Sequence, residues 1–144
     1  MRVEIKIQEN VSEPYVVIHT ERVTDEIQKL LKYIENSNDV LVVETDDKKL
    51  VLNVNDIYMI RVESEKTVVY GKDKKYITKK RLCELEKMLK YDFMKISKTT
   101  LINLKYINRI EPAFNGMMLL FMKNGCKDYI SRKYLPDLKK YLGL

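Results

Sequence analysis

The apolar residues of the first 38 positions follow two different periods. Apolar and charged residues alternate over positions 3–7, and this period of two predicts a half-buried strand. A second apolar run at 15–19 predicts another strand. From position 23 the period becomes helical, carried by Val23, Ile27, Leu30, Leu31 and Ile34. We therefore expect a small β-β-α extension over residues 1–38, separated by the polar run at 36–39 from a second domain over residues 39–144.

The rest of the chain is dominated by short apolar segments between polar or Gly-containing turns. These segments predict strands at 40–44, 49–52, 57–62, 67–70, 75–78, 94–96, 107–111, 117–122 and 127–130. Asn124-Gly125 is a strong hairpin signal between the last two. Helical spacing predicts a helix over 79–90, and Pro136 suits the first turn of a final helix. The fold class is therefore mainly β, α+β overall.

Charge is distributed unevenly along the 144 residues, whose formal net charge is +6. Residues 1–60 contain seven Lys/Arg and twelve Asp/Glu, a net charge of −5. Residues 61–144 contain twenty Lys/Arg and nine Asp/Glu, a net charge of +11. A basic segment of this size is typical of proteins that bind a polyanion. The alternative interpretation is a lysine-rich surface that serves only solubility.

The segment 93–103 carries the most informative pattern. Its apolar residues are interleaved with two lysines, three hydroxyls and an amide. Lysine contacts phosphates and guanines, serine and threonine contact phosphates or bases, and asparagine can pair with adenine. The segment therefore suits a rigid edge that presents donors to an acidic partner. A strand with a polar outer face is the structural alternative.

Candidate chemistry of other kinds is sparse. The chain has one histidine, two cysteines and four glycines, and no Gly-rich phosphate loop. We therefore expect neither an enzyme nor a metal site or cofactor. No run approaches the roughly 18 apolar residues that would span a membrane, and the first residues do not form a signal peptide. These features predict a cytoplasmic protein.

Several spaced segments together resemble a known family. The matching segments are 56–60, 82–86, 93–99, 101–107, 124–125 and 131–134. Residues 93–99 match a Phe-x-Arg-x-His-Arg-Ser run, and 101–107 match its Val-Asn-x-x-x-Ile continuation. In this order they resemble the LytTR family of bacterial DNA-binding domains. The resemblance covers about residues 40–144 and leaves the extension outside it.

The resemblance implies an elongated β-sandwich whose loops, in place of a recognition helix, reach into successive major grooves. It assigns DNA contact to the turn at 63–66 and to the segments 95–99 and 131–134. The candidate DNA-binding residues are Lys66, Lys95, Ser97, Lys98, Thr99, Asn103, Arg132, Lys133 and Tyr134. Ser97 stands where the family often has His, and Thr99 where it has Ser. Ser97 can donate or accept one hydrogen bond but cannot become charged, so the resemblance implies DNA binding at this position without implying a base preference.

Structural alternatives exist for several of these residues. Lys95 and Lys98 are three positions apart and so could lie on opposite faces of a strand, in which case Lys98 is the expected DNA contact. Asn103 could instead tether a turn, since Asn often satisfies backbone groups in loops. Arg132 could form a strand-end salt bridge. The basic run at 79–81 opposes the dipole of the predicted helix and could meet phosphate or only solvent.

The sequence therefore predicts a transcriptional regulator that binds double-stranded DNA sequence-specifically. It is response-regulator-like but has no receiver domain, because 38 residues are too few for one. A small unit cannot bury the apolar positions of the extension alone, so the extension is expected to pack on the second domain or on a second copy. A homodimer is favoured, because two copies could occupy paired half-sites. The alternative function is a protein-interaction module in which the extension docks a sensor or inhibitor protein, including a membrane-bound one.

Overall fold

The computed structural model describes residues 1–35 and 40–144. The chain divides into two compact units, Met1–Glu35 and Asn36–Leu144. The domain boundary predicted at residue 38 and the polar run at 36–39 lie outside the described residues.

The first unit contains one regular element, helix α1 (Asp25–Glu35). Thr24 begins it: its hydroxyl accepts a hydrogen bond from the Ile27 amide at 3.3 Å, and its carbonyl accepts one from the Gln28 amide at 2.9 Å. Asp25 and Glu26 then place negative charge in the first turn, where the helix dipole favours it. The predicted helix is confirmed.

The two strands predicted in the first unit are not formed. Residues 1–24 contain no strand, and the side chains of Ile5 and Ile7 are 86% and 96% exposed. Alternation predicts a half-buried surface, but a strand is stable only with a neighbour that completes its hydrogen-bond ladder. Because neither segment has such a neighbour, the β-β part of the predicted β-β-α extension was wrong.

The second unit is built on two antiparallel sheets. The larger comprises β1 (Val40–Thr45), β2 (Lys48–Asn53), β3 (Met59–Glu63), β4 (Lys66–Tyr70), β5 (Lys75–Thr78), β6 (Phe93–Ser97) and β7 (Thr100–Asn103). Its spatial order is β2-β1-β5-β4-β3-β7-β6. The smaller sheet comprises β8 (Ile107–Pro112), β9 (Met118–Met122) and β10 (Lys127–Ile130), with β9 in the centre. The mainly β fold class is confirmed.

Two helices accompany these sheets, α2 (Leu82–Met88) and α3 (Leu135–Leu142). Helix α2 is shorter than the predicted 79–90, because the Arg81 amide donates to the Glu84 carboxylate at 3.1 Å and so begins the helix at Leu82. The basic run at 79–81 therefore lies immediately before the helix, with Arg81 as its N-cap, and still opposes the helix dipole.

Each face of the larger sheet supports its own core. On one face, the aliphatic side chains of β1, β3 and β7 pack with Leu82 and Leu85 of α2. On the other face, Met59, Ile96 and Ile102 pack against the smaller sheet and Leu138 of α3. This arrangement follows from the period of two along each strand, which sends alternate side chains to opposite faces.

Candidate nucleic-acid interface

Two hairpin tips lie at the same end of the larger sheet. Glu63 pairs with Lys66 across the Ser64-Glu65 turn, whose φ values of 48° and 66° are both positive, as in a type I′ turn. Ser97 pairs with Thr100 across the Lys98-Thr99 turn. The Val62 amide donates to the Thr99 carbonyl at 2.9 Å, so β3 holds the two tips side by side.

A third segment, residues 131–134, is fastened to the same end by a β-bulge. The register of β6 and β7 shifts between Lys95 and Ser97, which leaves Ile96 without a partner across the ladder. Its carbonyl instead accepts the Ser131 amide at 2.9 Å and the Ser131 hydroxyl at 3.4 Å. We call the tips 64–65 and 98–99 and the segment 131–134 the three turns.

Most of the predicted cations near the three turns are open to solvent. Lys66, Lys98, Arg132 and Lys133 are exposed, and within the described parts of the chain none of them forms an ion pair. The ammonium of Lys133 lies 5.6 Å from the ring centre of half-buried Tyr134. These four cations therefore stay unpaired within residues 1–35 and 40–144, and Glu65 is the one acidic residue in the three turns.

Lys95 and Lys98 have different surroundings. The Lys95 side chain is only 24% exposed, and its ammonium lies 3.4 Å from the Glu86 carboxylate of α2. Lys98 lies in the turn and is exposed. Its neighbours Ser97 and Thr99 share a hydroxyl–hydroxyl hydrogen bond of 3.3 Å, and the Thr99 amide donates to the Ser97 hydroxyl at 3.2 Å. The two hydroxyls thus rigidify the tip that presents Lys98.

Asn103 does not belong to this interface. It is 1% exposed, its Nδ2 donates to the Ile57 carbonyl at 2.8 Å, and its Oδ1 accepts from the Lys105 amide at 3.3 Å. Both ends of the amide are therefore used inside the chain, and neither can reach a base. The assignment of Asn103 to DNA contact was wrong, and the tethering alternative describes its geometry.

A polar network behind the three turns was not foreseen from the sequence. Arg61 Nε and Nη2 donate to one oxygen of Glu63 at 2.8 and 2.5 Å, and Nη2 also donates to the Tyr70 hydroxyl at 2.8 Å. Nη1 donates to the Lys127 carbonyl at 3.2 Å and lies 3.5 Å from Asp128 Oδ2. The Tyr70 hydroxyl also donates a short hydrogen bond to Glu63. One guanidinium therefore joins β3 and β4 to β10 of the other sheet.

The network shifts the ionisation of its members. The hydrogen bond from Tyr70 is the main factor that lowers the pKa of Glu63. Burial raises the pKa of Tyr70, and the bond to Glu63 raises it further. Burial alone would lower the pKa of Arg61, but its hydrogen bonds to Glu63 and Tyr70 outweigh this effect and raise it. At neutral pH the network therefore holds a guanidinium, a carboxylate and a neutral phenol.

An open depression of about 840 Å³ lies farther along the same sheet end. Its cations are Lys48, Lys49, Lys66, Lys79, Lys80 and Arg81. Acidic residues face them, including the Asp46-Asp47 tip between β1 and β2, and Lys79 already pairs with Glu44 at 3.5 Å. Because four acids, Glu44, Asp46, Asp47 and Glu65, offset most of the positive charge here, we leave this depression outside the candidate interface, apart from Lys66 and Glu65 beside it.

Other kinds of site are not evident. The described ranges, 1–35 and 40–144, contain no group of three or more His, Cys, Asp or Glu side chains that could hold a metal ion. Every helix in these ranges is too short or too polar to span a bilayer.

Comparison with known proteins connects this geometry to a family. Residues 47–143 match the family model described as the LytTr DNA-binding domain. Uncharacterized HTH-type transcriptional regulators of Staphylococcus aureus are similar over 146 residues, covering 100% of this chain and 99% of each relative. The one from strain COL is 29% identical and the one from strain MRSA252 is 28% identical.

A solved structure has the same fold. It is the LytTr DNA-binding domain of a Bacillus cereus protein whose name describes a methyl-accepting/DNA response regulator. The two are 25% identical with a TM-score of 0.69, over 74% of this chain and 99% of that domain. The resemblance drawn from the spaced segments is therefore confirmed.

Proposed function

Because the chain belongs to the LytTr DNA-binding domain family, a family of DNA-binding domains and not of enzymes, we propose that it reads duplex DNA through the three turns. In this proposal it is a sequence-specific transcriptional regulator of the bacterial cytoplasm whose turns enter successive major grooves. The observation that carries the proposal is the gathering of Lys66, Lys98, Arg132 and Lys133, all exposed and without an ion pair among the described residues, at one end of the sheet. Major grooves, about 12 Å wide, admit turns of this size.

The helices of the second unit are poorly suited to the alternative, a recognition helix. A helix-turn-helix motif needs two helices that follow each other along the chain. In the described part of the second unit, α2 lies between β5 and β6, and α3 follows β10. The name of the Staphylococcus aureus relatives, which refers to an HTH type, therefore has no counterpart in this topology. This favours the turns as the reading elements.

In the proposed interface, Lys98 is assigned a base contact, and the other predicted residues are assigned contacts to phosphate or base. Lys98 is at the tip of a rigid hairpin, which suits a contact to a base edge. Ser97 and Thr99 flank it and can donate to a phosphate or a base. Lys95 contributes less, because its ammonium is already paired with Glu86 at 3.4 Å. Lys66, Arg132, Lys133 and Tyr134 complete the surface on either side.

The experiment begins with a duplex selected by the chain from a random library. Affinities for this duplex and a shuffled one are measured by fluorescence anisotropy over a range of salt concentrations. Lys98→Ala should weaken binding to the selected duplex by about 1–3 kcal/mol if Lys98 reads a base. Lys72→Ala is the matched control, an exposed lysine in the β4–β5 turn at the opposite end of the sheet. Equal losses for the two variants would contradict the proposed interface.

Salt dependence separates the roles of the cations. Removing one cation that neutralises a phosphate should reduce the slope of log K against log salt by about 0.9. Among the exposed cations of the three turns, a variant that loses discrimination at an unchanged slope identifies a base contact, whereas a smaller slope identifies a phosphate contact. A wild-type chain whose affinity is insensitive to salt would refute the electrostatic basis of the proposal.

We further propose that the chain binds as a homodimer on paired half-sites. The first unit exposes apolar side chains, among them Val3 at 80% and Tyr15 at 73%, which a second copy could cover. Sedimentation with and without the selected duplex is the test, and deletion of residues 1–35 should reduce self-association. A monomer in both conditions at tens of micromolar would refute the dimer. Docking of a sensor or inhibitor protein stays a prediction.

A further inference from the structure

The partners of Arg61 lead directly into all three turns. Glu63 immediately precedes the Ser64-Glu65 tip. Asp128 accepts a hydrogen bond of 2.6 Å from Thr100, the residue that immediately follows the Lys98-Thr99 tip. Asp128 also lies on β10, three residues before the 131–134 segment begins. A single guanidinium is thus connected to the base of each turn, by a hydrogen bond to Glu63 and by an ion pair with Asp128.

We propose that Arg61 is a positioning residue of the DNA interface, which sets the spacing of the three turns and thereby the discrimination between DNA sequences without touching DNA. The inference rests on the proposed function. Its basis is the network's place between β3, β4 and β10, where it joins strands of two different sheets.

Arginine suits this role for a geometric reason. Its planar guanidinium has five N–H donors in a fixed fork, so it can hold several partners in one arrangement. Here it binds Glu63, Tyr70 and the Lys127 carbonyl at once. A lysine ammonium on a flexible stem would not keep that arrangement. The Arg61 side chain is 27% exposed, and its guanidinium already donates to Glu63, Tyr70 and the Lys127 carbonyl.

The spacing of the turns matters more for base contacts than for phosphate contacts. Hydrogen bonds to base edges weaken steeply when distance or angle departs from the optimum. Lysine side chains that reach phosphates are long and flexible, and they follow a displaced turn. Loosening the two sheets relative to each other should therefore reduce binding to the selected duplex and leave binding to a shuffled duplex nearly unchanged.

Arg61→Met is the test, and Arg109→Met is its matched control. Arg109 also pairs with a glutamate two residues later, Glu111 at 2.9 Å, and lies over an aromatic ring, Phe121 at 3.8 Å. Its partners lie on β8 and β9, within the smaller sheet, so the control removes the same charge without separating the sheets. Affinities for the selected and shuffled duplexes are measured by fluorescence anisotropy at several salt concentrations.

We expect Arg61→Met to lower affinity for the selected duplex at least tenfold and for the shuffled duplex less than twofold, with an unchanged salt slope. Arg109→Met should leave the ratio of the two affinities unchanged. Equal losses on both duplexes, with a slope reduced by about 0.9, would mean that Arg61 contacts phosphate and would overturn the inference. An unchanged ratio in a folded Arg61→Met protein would overturn it as well.

Two further measurements test the inference if Arg61→Met does not fold or if wild type does not distinguish the two duplexes. If Arg61→Met does not fold, Asp128→Asn replaces it: the amide keeps an acceptor for Thr100 but loses the charge that faces Arg61. This variant should also lose discrimination, and full discrimination would overturn the inference. If wild type fails to distinguish the duplexes, the proposed function fails. Amide hydrogen exchange in the free protein is measured in every case, because it separates positioning from a direct base contact. Arg61→Met should accelerate exchange at the Ser131 amide if Arg61 positions the turns, and unchanged exchange there would refute positioning.

Discussion

Replacement of Asn103 by alanine tests which part of the 93–103 segment supports the fold and which part faces DNA. The substitution removes the donor to the Ile57 carbonyl at 2.8 Å and the acceptor of the Lys105 amide at 3.3 Å. An unsatisfied buried carbonyl costs about 1–3 kcal/mol, and loss of an Asn cap costs about 0.5–2 kcal/mol. We expect the free energy of unfolding to fall by about 2–4 kcal/mol.

Urea denaturation followed by circular dichroism measures this change. With a slope of about 2 kcal/mol per molar urea, the middle of the range for small proteins, the midpoint should fall by roughly 1–2 M. Asn124→Ala is the control with the same pattern, since Asn124 donates to the Gly71 carbonyl at 2.8 Å and accepts from the Cys126 amide at 3.0 Å. Asn124 is only half-buried, so its midpoint should fall less.

DNA binding provides the decisive comparison. Folded Asn103→Ala protein should bind the selected duplex with the wild-type affinity, because the side chain is 1% exposed and has no free polar atom. The reasoning would be refuted if this variant kept the wild-type urea midpoint and lost affinity for the selected duplex. Such a result would restore Asn103 to the DNA interface.

Lys95→Ala should weaken binding to the selected duplex less than Lys98→Ala in an anisotropy titration, because Lys95 is already paired with Glu86. Because the pKa of Tyr70 is raised, the contribution of its hydrogen bonds to stability is complete below pH 10.0 and is lost as the pH rises further. The urea midpoint of Tyr70→Phe should therefore lack this loss at alkaline pH. A lowered pKa of Glu63 means that its contribution is complete above pH 4.5 and is lost as pH falls below that value; Glu63→Gln should lack this acidic loss in the same assay.

The parts of the fold that depend on local signals could be predicted from the sequence. Nine of the ten strands in residues 40–144 follow from period-two runs between turn residues, and the 64–65 and 98–99 turns were placed within the predicted interface. Strand β7 was missed because Thr100 and Asn103 made its segment look like a polar surface. Their partners, Asp128 and Ile57, are 28 and 46 residues away along the chain, so only the folded structure shows that both are buried and satisfied.

The sequence around Arg61 carries one local signal that this side chain has a partner. It lies between Met59 and Glu63 at a spacing of two, so a period-two pattern puts all three side chains on one face. Since Met59 is fully buried, a charged residue two positions later on the same face requires a partner. The pattern could therefore predict that Arg61 is paired. It could not identify the partners, because they come from β4 and β10 as well as from β3.

The 93–103 segment shows how one stretch of sequence can serve both the core and the interface. Ile96, Leu101 and Ile102 are each at most 1% exposed, so packing determines their identity. Lys98 and Thr99 lie between Ile96 and Leu101 in the sequence, and both side chains are exposed. They occupy a turn whose backbone is held by a hydrogen bond from the Val62 amide to the Thr99 carbonyl. In the proposed interface, substitutions of Lys98 can therefore change what meets the DNA at little cost in stability. The proposed function thus allows DNA preference to change while the sheet and its register are retained.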